Sequence, residues 1–195
     1  MIFHFFQKIL TYFPYILKLR ITLSDLFENI HTMIQDFNNL NENEVSKMLN
    51  AIPLITILIA GADDKINYNE KKWAIKLANI RTYSNPDELH DYYSQIGFNF
   101  TERLNKNIDS LPQNNISRQQ KISDQLAELN AIFPKLDSSF NAKLYNSFIS
   151  FARHVANASG GFINFNRESM AEKIWITLPM LEPVLVPMEE EEVEE

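Results

Sequence analysis

The stretch from Pro53 to Ala60, PLITILIA, constrains the fold more than any other part of this chain. Its near-continuous apolarity marks an element buried on most sides rather than an amphipathic surface element. A short apolar run suits an inner strand as well as a helix. Helix is preferred here because Ala60, Gly61 and Ala62 extend the run without turn polarity, and because the flanking segments carry helical spacing. Pro53 fits best at the first helical position, where its missing N–H removes no intrahelical bond. Gly61 either ends the helix or lets another helix approach closely. Asp63 and Asp64 then stop the run, because short carboxylates compete for backbone hydrogen bonds.

A second helix is predicted to return from this acidic turn. Asn67 can cap it, and Glu70, three residues on, is the acidic partner of a capping box. Trp73, Ile75, Leu77, Ala78 and Ile80 form its apolar side, with Lys71, Lys72, Lys76 and Arg81 facing water. The turn is thus the one place where carboxylates, a glycine and helix-starting chemistry converge. Asp63, Asp64 and Glu70, helped by Asn67 or Asn69, could supply a water-rich Mg²⁺ or Ca²⁺ site, which needs only one or two carboxylates plus carbonyls. An EF-hand is excluded, because its first two oxygen ligands would fall on Ile59 and Gly61. The competing reading is purely structural: Asp63 caps, Asp64 is solvated and Glu70 completes the capping box, together worth ~1 kcal/mol.

The segment AGADDKINYNEKKWAIKLA resembles the first helical hairpin of the TerB-like (tellurite-resistance) family, whose turn reads Ala-Asp-Gly-x-Ile-x-x-x-Glu. Ala62, Asp63, Ile66 and Glu70 match, and Asp64 stands where the family has Gly. The resemblance implies an all-helical domain that binds divalent metal near this turn. It also implies a role in stress response, in assemblies near the membrane, without an established enzymatic reaction. The fold expected is an all-α, compact bundle of about seven to nine helices.

Composition supports a packed globule. Apolar residues make up 45% of 195, and 14 are Phe, which suits one domain with appendages. Four glycines are too few for Gly-rich phosphate loops, and the absence of cysteine removes disulfides, thiolate zinc sites and cysteine nucleophiles. The net charge is −7, but six glutamates of Glu189–Glu195 account for all but one of those charges. The body is therefore nearly neutral and has no basic stripe, so nucleic acid is not an expected partner.

Three regions are expected: an apolar N-terminal helix or extension over residues 1–20, the helical domain over 21–181, and a disordered acidic tail over 182–195. Residues 1–20 are aromatic and interrupted by Pro14. They lack both the ~20 mainly apolar residues of a span and the cleavage site of a signal peptide. They are read either as a helix packed on the domain, as a membrane-surface anchor, or as an outlying extension. Further helices are predicted over 22–38, 44–50, 87–93 (ended by Gly97), 98–110, 117–136 (stripe Ile122, Leu126, Leu129, Ile132, Phe133) and 140–158 (stripe Leu144, Phe148, Phe151, Ala152, Val155), the last opened by Asp137-Ser138-Ser139. His90 with Asp91, and His154, read as solvated or core-edge residues rather than ligands.

HVANASGGFINFNRESMAEKIW repeats the pattern of the acidic hairpin: Ala156 matches Ala60, Ala158 matches Ala62, and Trp175 matches Trp73. Two pseudo-repeated hairpins follow from this. Ser159, Gly160 and Gly161 replace the aspartates, so a cation site would be confined to the first turn. The double glycine could approach a neighbouring helix or a small anion. Beyond Trp175 the chain is punctuated by proline and expected to be extended. No Gly-x-Ser-x-Gly or His-Glu-x-x-His motif appears, so enzymatic activity is not expected. The leading expectation is a cytoplasmic interaction or sensing module with a protein partner. The alternative is a protein peripheral to the inner membrane, held on lipid by residues 1–20 and with no metal role.

Overall fold

The computed structural model describes residues 34–61, 87–158 and 174–184, together with Lys72, Ile75 and Lys76. The described residues contain four α-helices, three 3₁₀ turns and no strand. The all-α class is therefore as expected. The chain divides into two compact units, Met1–Asn38 and Asn39–Glu195. Of the first, a 3₁₀ turn over Gln35–Phe37 is described, preceded by Ile34 with φ −119° and ψ 89°. The helix expected over 22–38 therefore does not run to Asn38.

In the second unit, α1 (Glu42–Ala60) is the central element, and α2 (Asp87–Ser110), α3 (Asn115–Ala127) and α4 (Ser138–Ala158) all pack against it. It begins with a capping box that the sequence reading passed over. The Asn41 Oδ1 accepts from the Glu44 N–H at 3.1 Å, and Glu44 Oε2 accepts from the Asn41 N–H at 3.0 Å. The other Glu44 carboxylate oxygen meets Lys135 Nζ at 2.5 Å. The Lys135 hydrogen bond, then the Asn41 N–H, hold this carboxyl below its ordinary pKa.

Two expected helices, 44–50 and one starting at Pro53, are thus a single helix with Pro53 inside it. An internal proline costs about 3 kcal/mol, through a lost N–H bond and a clash with the carbonyl four residues back. Thirteen of the nineteen residues are buried, and each large aliphatic contributes about 1.5–3 kcal/mol on full burial. Burial on both sides of Pro53 therefore outweighs the local penalty. Thr56 is also buried, and its hydroxyl donates to the Ile52 carbonyl at 2.9 Å. Among the described residues, α1 alone is long and apolar enough to cross a membrane, and 72% of its apolar window is buried inside the bundle.

Gly97 does not end a helix. α2 runs from Asp87 to Ser110 with its one non-helical residue at Asn99 (φ −122°, ψ 15°). Ile96 and Phe100 are both buried, so the helix must keep its inner face across the glycine, and the break moves to a polar residue. Tyr92 and Tyr93 are fully buried where α2 meets α1 and α4. The Tyr92 hydroxyl donates to the Met48 carbonyl at 2.9 Å, and the Tyr93 hydroxyl lies 2.5 Å from Ser147 Oγ. The two rings meet edge to face at 5.2 Å, and Phe148 closes on Tyr92 at 6.0 Å and on Phe133 at 6.5 Å. Burial, then the neighbouring Tyr93, pushes the Tyr92 phenol well above its ordinary pKa.

The long helix expected over 117–136 stops at Ala127 and continues as 3₁₀ turns at Glu128–Ala131 and Phe133–Lys135. In an α-helix the Pro134 ring would strike the Asn130 carbonyl. The tighter turns avoid that clash and still bury Leu129, Ile132, Phe133 and Leu136. Asp137 then opens α4 by accepting from the Ser139 and Phe140 N–H groups at 2.9 and 3.0 Å, as its Asp-Ser-Ser signal predicts.

The segment after Trp175 is turned and docked rather than extended. Leu178 and Leu181 are buried, and Leu178 holds a φ of 48°, a left-handed conformation that costs about 1–2 kcal/mol for a residue with a side chain. Asn130 clamps it from both sides, donating from Nδ2 to the Met180 carbonyl at 2.9 Å and accepting at Oδ1 from the Glu182 N–H at 3.0 Å. Asn130→Ala is expected to cost about 1–2 kcal/mol and to speed hydrogen exchange at the Glu182 amide. Asn130→Asp, which keeps only the acceptor, should fall between the two.

Candidate functional site

Asp63, Asp64, Asn67 and Glu70, and likewise Ser159, Gly160 and Gly161, lie outside the described residues, as does the 1–20 segment. The shoulders of the acidic turn are described. After it, Lys72, Ile75 and Lys76 are helical, with both lysines exposed and Ile75 half-buried, as the predicted stripe requires. Before it, Gly61 caps α1, its N–H donating to the Ile57 carbonyl at 3.0 Å.

The carbonyl of Gly61 is held by a residue the sequence reading did not single out. Arg118, in the first turn of α3, is only 6% exposed. Its guanidinium donates to Gly61 O at 3.1 Å, Gln113 O at 3.0 Å and Asn115 Oδ1 at 3.1 Å. A cation near the start of α3 opposes that helix's dipole, but here it lies against the carbonyl end of α1, where positive charge is favourable. Direct charge-assisted bonds to two carbonyls decide the balance. Gly61 makes the approach possible: a Cβ there would lie 2.8 Å from Ile57 O and 3.3 Å from the Arg118 Nη2. Gly61 ends the helix, one of the two expectations for it, and what comes close to it is the Arg118 side chain. The sequence signal for Arg118 was a charge standing four residues before Ile122 on a stripe that continues through Leu126.

His90 is on the surface as expected, whereas His154, expected at the core edge, is also exposed. His154 is exposed, with Nδ1 2.6 Å from the Ser150 carbonyl on its own helix. His90 is exposed, 3.4 Å from Ser94 Oγ. Among the described residues no group of three or more His, Asp or Glu is arranged to hold a metal ion.

A polar cleft of about 350 Å³ lies between α1 and the second half of α2. Ser46 and Asn50 line it from α1; Asn99, Arg103, Lys106 and Asn107 line it from α2, with Glu102 and Ser110. The kink at Asn99 falls at this cleft, so the break in α2 sets the angle at which its polar face meets α1. Arg103 Nε and Asn107 Nδ2 are buried and have no hydrogen-bond partner in the protein. Burial pulls the Arg103 pKa below its ordinary value, opposed by the nearby Tyr92 hydroxyl and Glu102, and the group remains a guanidinium cation. The lining is rich in donors, and a smaller hollow of about 110 Å³ lies beside it, bounded by Lys47, Leu54, Gln125 and Glu128. The rim of that hollow carries a Lys47–Glu128 ion pair at 2.7 Å, an exposed contact worth little to stability.

The chain matches no family model, no curated protein and no solved structure.

Proposed function

We propose that this chain is an interaction and sensing module of the TerB-like, stress-response kind, acting without catalysis, whose acidic turn takes a divalent cation. Asp63, Asp64 and Glu70 are the carboxylate ligands, and Asn67 adds a carbonyl oxygen. Ca²⁺ and Mg²⁺ both suit such a set of oxygen ligands. The reading places the module in the cytoplasm, free or peripheral to the inner membrane through residues 1–20, with a protein as its partner.

The observation that supports this reading most is the Arg118–Gly61 joint. It fixes the residue from which the acidic turn departs, by tying the end of α1 to the start of α3. A loop that leaves a rigid anchor has less freedom to lose when it closes on an ion. Ion binding would order the turn for docking against the partner or against the second hairpin.

Calorimetric titration of the full chain with Ca²⁺, Mg²⁺ and Mn²⁺ tests this. A saturable heat and a ligand-dependent rise in melting temperature are expected, both lost in the Asp63→Asn/Asp64→Asn double variant. Absence of heat and of any melting shift with all three ions would remove the cation from the proposal.

A further inference from the structure

The α1–α2 cleft, distant in sequence from the acidic turn, has its own chemistry. Arg103 and Asn107 are four residues apart on α2, hence one above the other on a single face. Lys106 lines the same space. Each of the first two brings a buried donor that nothing in the protein accepts. Leaving such a group unpaired is costly, the more so when it is charged. Two orphaned donors side by side call for acceptor oxygens, and the guanidinium calls for negative charge.

The charge balance agrees. Two cations line the cleft against one carboxylate, Glu102, which is exposed while Arg103 is half-buried. An exposed charge acts through water, whereas partial burial strengthens the field of a charge. Arg103 therefore sets the field that a ligand meets. The amides of Asn50 and Asn99 and the hydroxyls of Ser46 and Ser110 can donate to further oxygens or accept from hydroxyl groups on the ligand. A volume of about 350 Å³ is at the small end for ligand sites, which selects a compact molecule over a polymer.

We propose that this cleft is a binding site for a small oxyanion of the carboxylate or phosphate class, with Arg103 as the charged anchor, Asn107 as the second buried donor and Lys106 adding charge. The site is independent of the cation at the acidic turn, so the two proposals stand or fall separately.

The test is a titration of the full chain, at constant ionic strength, with inorganic phosphate in one series and citrate in another, followed by ¹H–¹⁵N NMR. The Arg103 Nε–H and the Asn107 side-chain amide report the site directly. Saturable shifts of both signals are expected in at least one series, and the series that saturates at lower concentration identifies the preferred oxyanion. Arg103→Lys, which keeps charge but loses the planar fork, should weaken binding about tenfold. Lys106→Gln, a change at an exposed position that leaves the fold intact, should weaken it a few-fold. Shifts that fail to saturate in either series, or that saturate equally well in Lys106→Gln and Arg103→Lys chains of unchanged melting temperature, would overturn the assignment.

Discussion

Arg118→Met is expected to lower the stability of the bundle by on the order of 3 kcal/mol. Methionine keeps most of the apolar stem but leaves the Gly61 and Gln113 carbonyls without the guanidinium that now bonds them at 3.1 and 3.0 Å. Both lie where Arg118 is 6% exposed, so water replaces the lost donors poorly. For a chain of this length such a loss corresponds to a fall in melting temperature of about 10 °C, readable by circular dichroism. Arg118→Lys should recover less than half of it, because a single ammonium cannot reach three acceptors that a planar fork spans. Gly61→Ala strains the same joint from the other side, so its cost combined with Arg118→Met should be less than the sum of the two. Additive costs would mean that the close approach at Gly61 is not what the guanidinium requires.

Phe148→Ala is expected to cost about 3–5 kcal/mol, the range for removing a fully buried aromatic ring. Phe148 is fully buried, between Tyr92 on α2 and Phe133 in the 3₁₀ turn Phe133–Lys135. Its removal forfeits those ring contacts as well as opening a cavity. Surrounding helices cannot collapse into the gap without breaking the Tyr92–Met48 and Tyr93–Ser147 hydrogen bonds. Urea unfolding should show a lower midpoint with an unchanged slope. Phe98→Ala is the matched control, since Phe98 is 81% exposed, and a change within about 0.5 kcal/mol is expected. A Phe148→Ala cost below ~1.5 kcal/mol would show that the aromatic cluster is not the centre of the core.

Much of the inner face of the bundle was legible in the chain. The stripes Leu144, Phe148, Phe151, Ala152, Val155 and Ile122, Leu126 are buried as their spacing predicts, and Leu129, Ile132 and Phe133 stay buried although the chain there turns to 3₁₀. Spacing succeeds here because burial on a helix follows a 3.6-residue period that each segment carries by itself. Asp137 was readable as a cap for the same reason, since a capping bond spans only three residues. Boundaries were less legible. Pro53 and Gly97 are local breakers, and the local rule failed at both because the flanking apolar residues had partners on several sides.

The polar features follow a different logic. Arg118 and Gly61 are 57 residues apart, Asn130 and Glu182 are 52 apart, and neither pairing leaves a periodic trace. The α1–α2 cleft is of the same kind. Its residues come from two separate helices, and they enclose a space where the second half of α2, beyond the break at Asn99, meets α1.

By itself, then, the sequence determined that the described residues are helical, which faces are apolar, and where one helix must be sheathed on most sides. Helical period, capping and side-chain entropy act within a few residues, so they are written locally. Tertiary structure alone decided that α1 runs unbroken through Pro53, that Arg118 closes its end, and that Arg103 and Asn107 face a shared cleft. Those outcomes depend on which surfaces exclude water together, and desolvation is a property of the assembled bundle rather than of any one segment.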